Sequence, residues 1–355
     1  MVLIVFASGA LGAQSQPTGR RPEQSGSKTP KIRIEGAGSQ ALEPLVIAWT
    51  NAYGRQHPGA RISYRALGSK AGLRMLAAGE AFFGAIDAPI SDDPLASANG
   101  RLLQFPVAVT GVVPVYNLPG VQQQLRFSGS TLAGIFLGTI AKWDAPAIMK
   151  DNPGMDLPHV DIKVKHYFPG GSVESLIMAD YLSKVSSAFK TTLATSSNDW
   201  PLSSIAYKGG EGMAGFVSET PGSIGYLGLV PARLYEHKGS LKCGAVQNSD
   251  GEFVTASPES LAAASRSAVS SVQANVTDFR ILMTNSPGKT SYPIASFIWF
   301  VLYEEAQKSP DGRKKSEIAR DFLKWVLTEG QESALKLGFP ALPKDLVQME
   351  LKRLS

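Results

Sequence analysis

Three short stretches carry the residue types that hold an anion. Gly36-Ala-Gly-Ser-Gln40, Gly68-Ser-Lys-Ala-Gly72 and Pro169-Gly-Gly-Ser172 are small-residue turns, each standing before a helical pattern. A turn of this kind leaves backbone N–H groups unpaired at the positive end of a helix dipole, and an anion is the complementary guest. A single such turn is accounted for by helix capping through its serine. Three in one chain point to a ligand cleft. Asp87 adds an acceptor, or is a cap or turn residue, at the end of the apolar stretch Phe82-Phe-Gly-Ala-Ile86. Catalytic constellations are scarce. His57, His159, His166 and His237 stand far apart in sequence, none in a spaced metal motif, and no nucleophile elbow is present. Cys243 is the one cysteine and has no partner for an internal disulfide. A binding protein is therefore expected, with no enzymatic activity, no metal and no cofactor.

The elements that must position these turns follow from periodicity. Lys31-Ile-Arg-Ile34 alternates as a strand does, and Leu42, Leu45, Val46, Trp49, Ala52 and Tyr53 recur at helical spacing until His57-Pro-Gly59. Arg61–Leu67 alternates again, a helix carries Leu73, Leu76 and Ala77 on one face, and Phe82–Ile86 reads as a buried strand. Strands alternating with helices predict a mostly parallel sheet, whose ligands sit outside the carboxyl ends of the strands. Both glycine-rich turns and Asp87 fall at such ends. Val107–Tyr116 is a long apolar strand interrupted by Pro114. Further helices are expected over Ser130–Leu137, Ser172–Val185, Gly212–Ser218, Pro258–Ser271, Ser316–Thr328 and Gln331–Leu337. Further strands are expected at Ile162–Tyr167, Ser223–Gly228 and Pro293–Leu302. No internal repeat is found.

The 355 residues, 43% hydrophobic and 18% charged, suit a globular protein of one or two domains. The net charge of +5 is spread along the chain, so no nucleic-acid partner is expected. Residues 1–13 form a short apolar run followed by small residues, like the h-region and cleavage site of a signal peptide, though without a basic n-region. Residues 14–30 read as a disordered linker. Export follows, to the periplasm or outside the cell.

Taken together, a set of stretches resembles the PstS-type periplasmic phosphate-binding proteins of phosphate ABC transporters. They are Gly36-Ala-Gly38, Leu67-Gly-Ser-Lys-Ala-Gly72, Phe83-Gly-Ala-Ile-Asp-Ala-Pro-Ile-Ser91, Gln104-Phe-Pro106, Gly134-Ile-Phe-Leu-Gly-Thr-Ile-Ala-Lys-Trp-Asp144, Asp180-Tyr-Leu182, Pro221-Gly-Ser-Ile-Gly-Tyr226 and Tyr292-Pro-Ile294. They occur in family order from about residue 31 to 340. The resemblance implies an α/β, two-lobed periplasmic-binding-protein fold (type II), with mixed sheets, flanking helices and a cleft between lobes. Lobe I would comprise residues 31–114 plus 289–355, and lobe II residues 115–288. It implies a monomer that takes inorganic phosphate, or a related small anion, to an ABC transporter permease in the inner membrane. The family binds phosphate through hydrogen bonds alone. The residues implied here are Gly38, Ser39, Gln40, Ala41, Ser69, Asp87, Tyr167, Gly171, Ser172 and Val173. Ser69 matches the family's first-lobe serine donor. Asp87 matches the aspartate that accepts a hydrogen bond from protonated phosphate and so excludes sulfate.

The chain departs from the family pattern at two loops. Gln40-Ala41 stand where the family has Thr-Phe, with the Gln40 amide a possible donor. In the second-lobe loop, His166-Tyr-Phe-Pro-Gly-Gly-Ser-Val-Glu174, the family arginine is absent and Tyr167 or His166 takes its place. Lys165 is nearby, but alternation points it to the face opposite His166. Val173 and Glu174 replace Gly-Thr. Each charged hydrogen bond lost costs roughly 1.5–3 kcal/mol. Glu174 reads either as favourable pairing with a helix dipole on an exposed face, or as a group that repels a dianion and recognises a cationic or hydroxylated ligand. These departures motivate a second reading, a diverged binder of another small solute or a surface or adhesion protein. A hydrolase using an α/β cleft is the third.

Overall fold

The computed structural model describes residues 32–90, 100–167, 172–195, 209–270, 272 and 279–355. The signal-like segment 1–13, the linker 14–30 and Gly171 lie outside the described residues.

The described strands are β1 (Ile32–Gly38), β2 (Ala60–Arg65), β3 (Phe83–Ile86), β4 (Leu102–Asn117), β5 (Arg126–Phe127), β6 (Lys163–Val164), β7 (Ser223–Gly228), β8 (Lys242–Cys243), β9 (Ala245–Gln247), β10 (Phe253–Val254) and β11 (Ala295–Tyr303). One sheet runs β2-β1-β3-β11-β4-β7-β6, with β8 also paired to β4. β1 lies parallel between β2 and β3, as the strand–helix alternation predicts. β11 returns antiparallel between β3 and β4. A small sheet, β10-β9-β5, stands apart and had no sequence signal beyond a few apolar residues.

β4 links two halves of the molecule. Its residues 102–111 pair with β11, and Val112–Asn117 pair with β7. At the changeover the Val112 N–H still donates to the Ile294 carbonyl, 2.9 Å away. Thirteen of its sixteen residues are buried, with helices packed against the strand, which explains a continuous apolar run in place of alternation. Pro114 does not interrupt it, contrary to expectation. Its carbonyl, and so the edge where its missing N–H would point, faces Gly244 just past β8, at 2.8 Å, and not β7. No ladder bond to β7 is lost.

The helices that matter for the cleft obey their sequence patterns. Glu43–Gln56 buries Leu45, Val46, Trp49 and Tyr53, and Trp49 Nε1 donates to the Gly330 carbonyl at 2.7 Å. Ser69–Ala77 and Val173–Val185 start at the two serine turns. The late helix is longer than expected, Pro310–Leu327. Ser309 caps it by accepting from Gly312 N–H at 3.0 Å, with proline in the first turn. The expected strand 162–167 shrinks to β6, because its pairing with β7 ends at Lys165 N–H on the Ile224 carbonyl. Among the described residues no helix is long and apolar enough to cross a membrane.

Candidate functional site

The carboxyl ends of β1 and β3 and the start of helix Ser69–Ala77 meet in a space too small for side chains. A Cβ on Gly38 would lie 2.0 Å from the Ala85 carbonyl oxygen, and the residue's φ of +145° also favours glycine. A Cβ on Gly72 would lie 2.4 Å from the Ala37 oxygen and 2.6 Å from Gly38 Cα. These glycines let the two turns touch. Gly68 N–H donates to the Gly38 carbonyl at 2.8 Å, and Ser39 N–H donates to the Ala85 carbonyl at 2.9 Å.

Asp87 sits at the centre of that junction, 2% exposed. Ser69 Oγ donates to its Oδ2 at 2.7 Å, and Ser39 Oγ donates to its Oδ1. Burial pushes the Asp87 carboxyl up from 3.8 to about 6, although both serine hydroxyls pull it down. Glu174 pushes it further up. Glu174 belongs to the helix Val173–Val185 of the other half of the chain. The two halves therefore bring a carboxylate each to one site. No described cation figures among the influences on Asp87.

Hydrogen-bond donors ring the junction. Among the described residues the N–H groups of Gln40 and Ala41, and those of Ser69 and Lys70 in the first helical turn, have no acceptor. Val173 and Glu174 open the facing helix in the same way. Ser172 occupies its N-cap position but makes no cap bond, and its hydroxyl donates instead to Glu174 Oε2 at 2.5 Å. Tyr64, on β2, donates to the Ser39 carbonyl at 2.7 Å, and burial together with Asp87 holds its phenol protonated far above its ordinary range. Tyr167 is 2% exposed, packs edge-on to Tyr226 with ring centres 5.4 Å apart, and its hydroxyl has no partner. The Ser175 and Tyr226 hydroxyls are 2.7 Å apart. Glu174 lies within electrostatic range of both Tyr167 and Tyr226.

Of the expected residues, Ser39 and Ser69 both donate to Asp87, Gly38, Gln40 and Ala41 flank them, and Tyr167, Ser172 and Val173 gather about Glu174. Two details change. Ser39 does not offer its N–H to a guest, since Ala85 takes it, and the Gln40 side chain is exposed with Nε2 turned to the Ala66 carbonyl at 3.4 Å. Lys165 follows the expected alternation. Its Nζ lies over the Phe216 ring, 4.9 Å from the centroid, while His166 is buried with Nδ1 against the Tyr167 carbonyl. Tyr64 and Tyr226 were not anticipated. Tyr64 had a signal, being cross-strand from Gly36 in the parallel register that carries the first turn.

Other groups lie elsewhere. Cys243 is buried in β8, its thiol pushed up to about 12 by burial. A cavity of about 660 Å³ opens toward the amino ends of β1 and β2, lined by Arg33, Glu35, Arg61 and Lys315 among others, and is distinct from the Asp87 junction. Among the described residues no three His, Cys, Asp or Glu side chains converge to hold a metal ion.

Comparison with known proteins identifies the family and the fold. The PBP superfamily domain matches residues 15–329. The phosphate-binding protein PstS of Xylella fastidiosa is 36% identical over 336 residues, 94% of this chain and 88% of that protein. The phosphate-binding protein PstS of Methanocaldococcus jannaschii is 30% identical over 376 residues, 100% of this chain and 92% of that protein. Among solved structures, a phosphate-binding protein from Stenotrophomonas maltophilia superposes with a TM-score of 0.64 at 17% identity, covering 90% of this chain and 92% of that one. A putative phosphate ABC transporter substrate-binding protein from Clostridium perfringens, with bound phosphate, gives 0.58 at 18%, covering 88% and 100%. The likeness to these structures is one of fold, the two-lobed α/β architecture expected from the sequence.

Proposed function

This chain belongs to the PBP superfamily and to the PstS phosphate-binding proteins, and from that membership we propose that it captures phosphate for an ABC transporter at the Asp87 junction. The observation that carries the site is the buried Asp87 carboxyl, held by Ser39 and Ser69 between open helix N-termini from both halves of the chain. Asp87 accepts a proton-bearing oxygen of the ligand. Sulfate carries no proton near neutral pH and would meet a bare or half-protonated carboxylate.

Donation comes from neutral groups: the N–H groups of Gln40, Ala41, Ser69 and Val173, and the Tyr167 hydroxyl in the family arginine's place, while the Ser69 and Ser172 hydroxyls hold the Asp87 and Glu174 carboxylates. Gly38 serves by being small, and Gly171 belongs to the same loop as Ser172. Helix N-termini suit such a guest without any full cation, because oriented amides carry fixed partial positive charge.

The division of labour follows the changeover in β4. Lobe I comprises residues 31–114 and 289–355, and lobe II residues 115–288. Closure of the lobes over the anion is the signal a membrane permease reads, which requires that ligand favour the closed state. The protein works outside the cytoplasm as a monomer and performs no chemistry on its ligand.

Calorimetric titration of the ligand-stripped protein tests the proposal. Phosphate is expected to bind with micromolar or tighter affinity, about −8 kcal/mol or better, and sulfate not at all. Absence of phosphate binding over the accessible pH range would overturn it and leave a diverged binder of another solute.

A further inference from the structure

We infer that Glu174 is a second hydrogen-bond acceptor of the anion site and makes this chain select dihydrogen phosphate, the monoanion with two hydroxyl protons, over hydrogen phosphate, the dianion with one. The inference rests on the phosphate-capturing reading of the same site.

The stereochemistry is simple. Every phosphate oxygen that meets a carboxylate must bring a proton, and every oxygen that meets an N–H or hydroxyl must not. A site with Asp87 as its one acceptor matches the dianion, which has one hydroxyl and three bare oxygens. A second carboxylate then faces a bare oxygen, and like charges repel. The monoanion removes the conflict by supplying a second hydroxyl.

Glu174 is placed to be that second acceptor. It lies in the first turn of the helix whose open N–H groups face the junction, and its charge reaches Asp87 across the cleft. Its carboxylate stands at the positive end of the helix dipole and presents acceptors there. Ser172 donates to Oε2 at 2.5 Å, which fixes the carboxylate and leaves Oε1 for a guest. Oε1 lies beside Gly228, where a Cβ would stand at ordinary contact distance, 3.6 Å. Among the described residues, the groups placed about Glu174 are the Asp87 carboxyl, the Tyr167 and Tyr226 phenols and the hydroxyls of Ser172 and Ser175. None of these is a cation. The Tyr167 hydroxyl is buried without a partner, an unspent donor beside the same carboxylate. Two carboxylates and no described cation make a dianion the costlier guest on charge as well as on protons.

Titration of the full chain with inorganic phosphate, from mildly acidic to mildly alkaline pH, tests this with the parent, Glu174→Gln and Glu174→Thr. The parent's affinity for total phosphate should fall about tenfold per pH unit above the second ionisation of phosphate, where the bound monoanion becomes scarce. Repeating the titrations in buffers of different ionisation enthalpy should show proton uptake by the parent at alkaline pH. Both variants present donors where the parent presents an acceptor, so both should bind tighter than the parent at alkaline pH, with a shallower profile and less proton uptake. Because Glu174 raises the Asp87 carboxyl in the parent, the Asp87 titration is followed by carboxyl NMR in all three proteins and subtracted from the comparison. Variant profiles that overlay the parent's would overturn the role of Glu174 while leaving phosphate capture standing. No phosphate binding by any of the three at any pH would overturn phosphate capture itself, and the inference with it.

Discussion

Ser69 donates its hydroxyl to Asp87 Oδ2 at 2.7 Å, so the first residue of a helix is fastened to the residue that follows β3. The bond does two things. It satisfies part of a buried carboxyl that has no described cation to pair with, and it holds the helix start with its N–H groups at the proposed site. Loop and acceptor are thereby one unit, and disturbing either is expected to disturb both.

Replacing that serine should separate the effects. Ser69→Ala releases the Asp87 carboxylate and the helix start from each other and is expected to weaken phosphate binding by about one to two decades, since a hydrogen bond to a charged group contributes roughly 1.5–3 kcal/mol. It should also raise the Asp87 carboxyl further, because Ser69 lowers it in the parent. Calorimetry reads the first outcome and carboxyl NMR titration the second.

Asp87 ties stability to pH. The folded carboxyl titrates at about 6 and the unfolded one at 3.8, so the folded state holds its proton more tightly. The contribution favours the ligand-free fold fully below the unfolded value and is lost as pH rises from 3.8 to about 6. A shift of that size corresponds to about 3 kcal/mol. Asp87→Asn should therefore raise the melting temperature of the empty protein near neutral pH, leave it nearly unchanged in acid, and abolish discrimination between phosphate and sulfate. Thermal melts at the two pH values check the first part.

Gly72→Ala tests the close approach without backbone strain, since the residue is helical. The new methyl would meet main chain of β1, which cannot rotate away. Destabilisation of about 1–3 kcal/mol is expected from overpacking, with weaker phosphate binding as Ser69 is displaced. Urea melts and calorimetry on one preparation would show both.

Tyr167→Phe deletes a buried hydroxyl that has no partner among the described residues. The ligand-free variant should be more stable by about 1–3 kcal/mol, the cost of an unsatisfied buried group. Phosphate affinity should fall if, as proposed, the same hydroxyl donates to the anion. A variant that is stabilised and binds as the parent does would remove Tyr167 from the site.

Glu350 is fully buried in the helix Lys344–Leu354, neither oxygen has a partner, and burial pushes its carboxyl well above its ordinary range. Glu350→Met is expected to stabilise the protein by about 1–3 kcal/mol at neutral pH. Denaturant midpoints of the two proteins check it.

That same residue shows why some of the fold was illegible. Leu346, Glu350 and Leu354 follow one another at helical spacing, and an acid in the middle breaks the apolar stripe by which a helix is recognised. Helices Glu43–Gln56, Gly129–Leu137, Val173–Val185 and Pro258–Ser270 kept their stripes and were read nearly to their ends. The strand around Tyr167 was over-read because alternation continued past the last residue with a pairing partner. Extended propensity is local, and a neighbour to bond is not.

The sequence by itself determined the alternation of strands and helices, the small-residue turns before helices, and the kinship those turns carry, because each is written in consecutive residues. Only the tertiary structure decided which groups remain free to act. Ser39 lies forty-eight positions from Asp87 and spends its hydroxyl there, Ala85 takes the Ser39 amide, and Glu174 reaches the junction from the other half of the chain. Those outcomes depend on contacts between strands whose order the chain does not spell, and on burial, which gives a carboxyl its pH range only once the fold has closed around it.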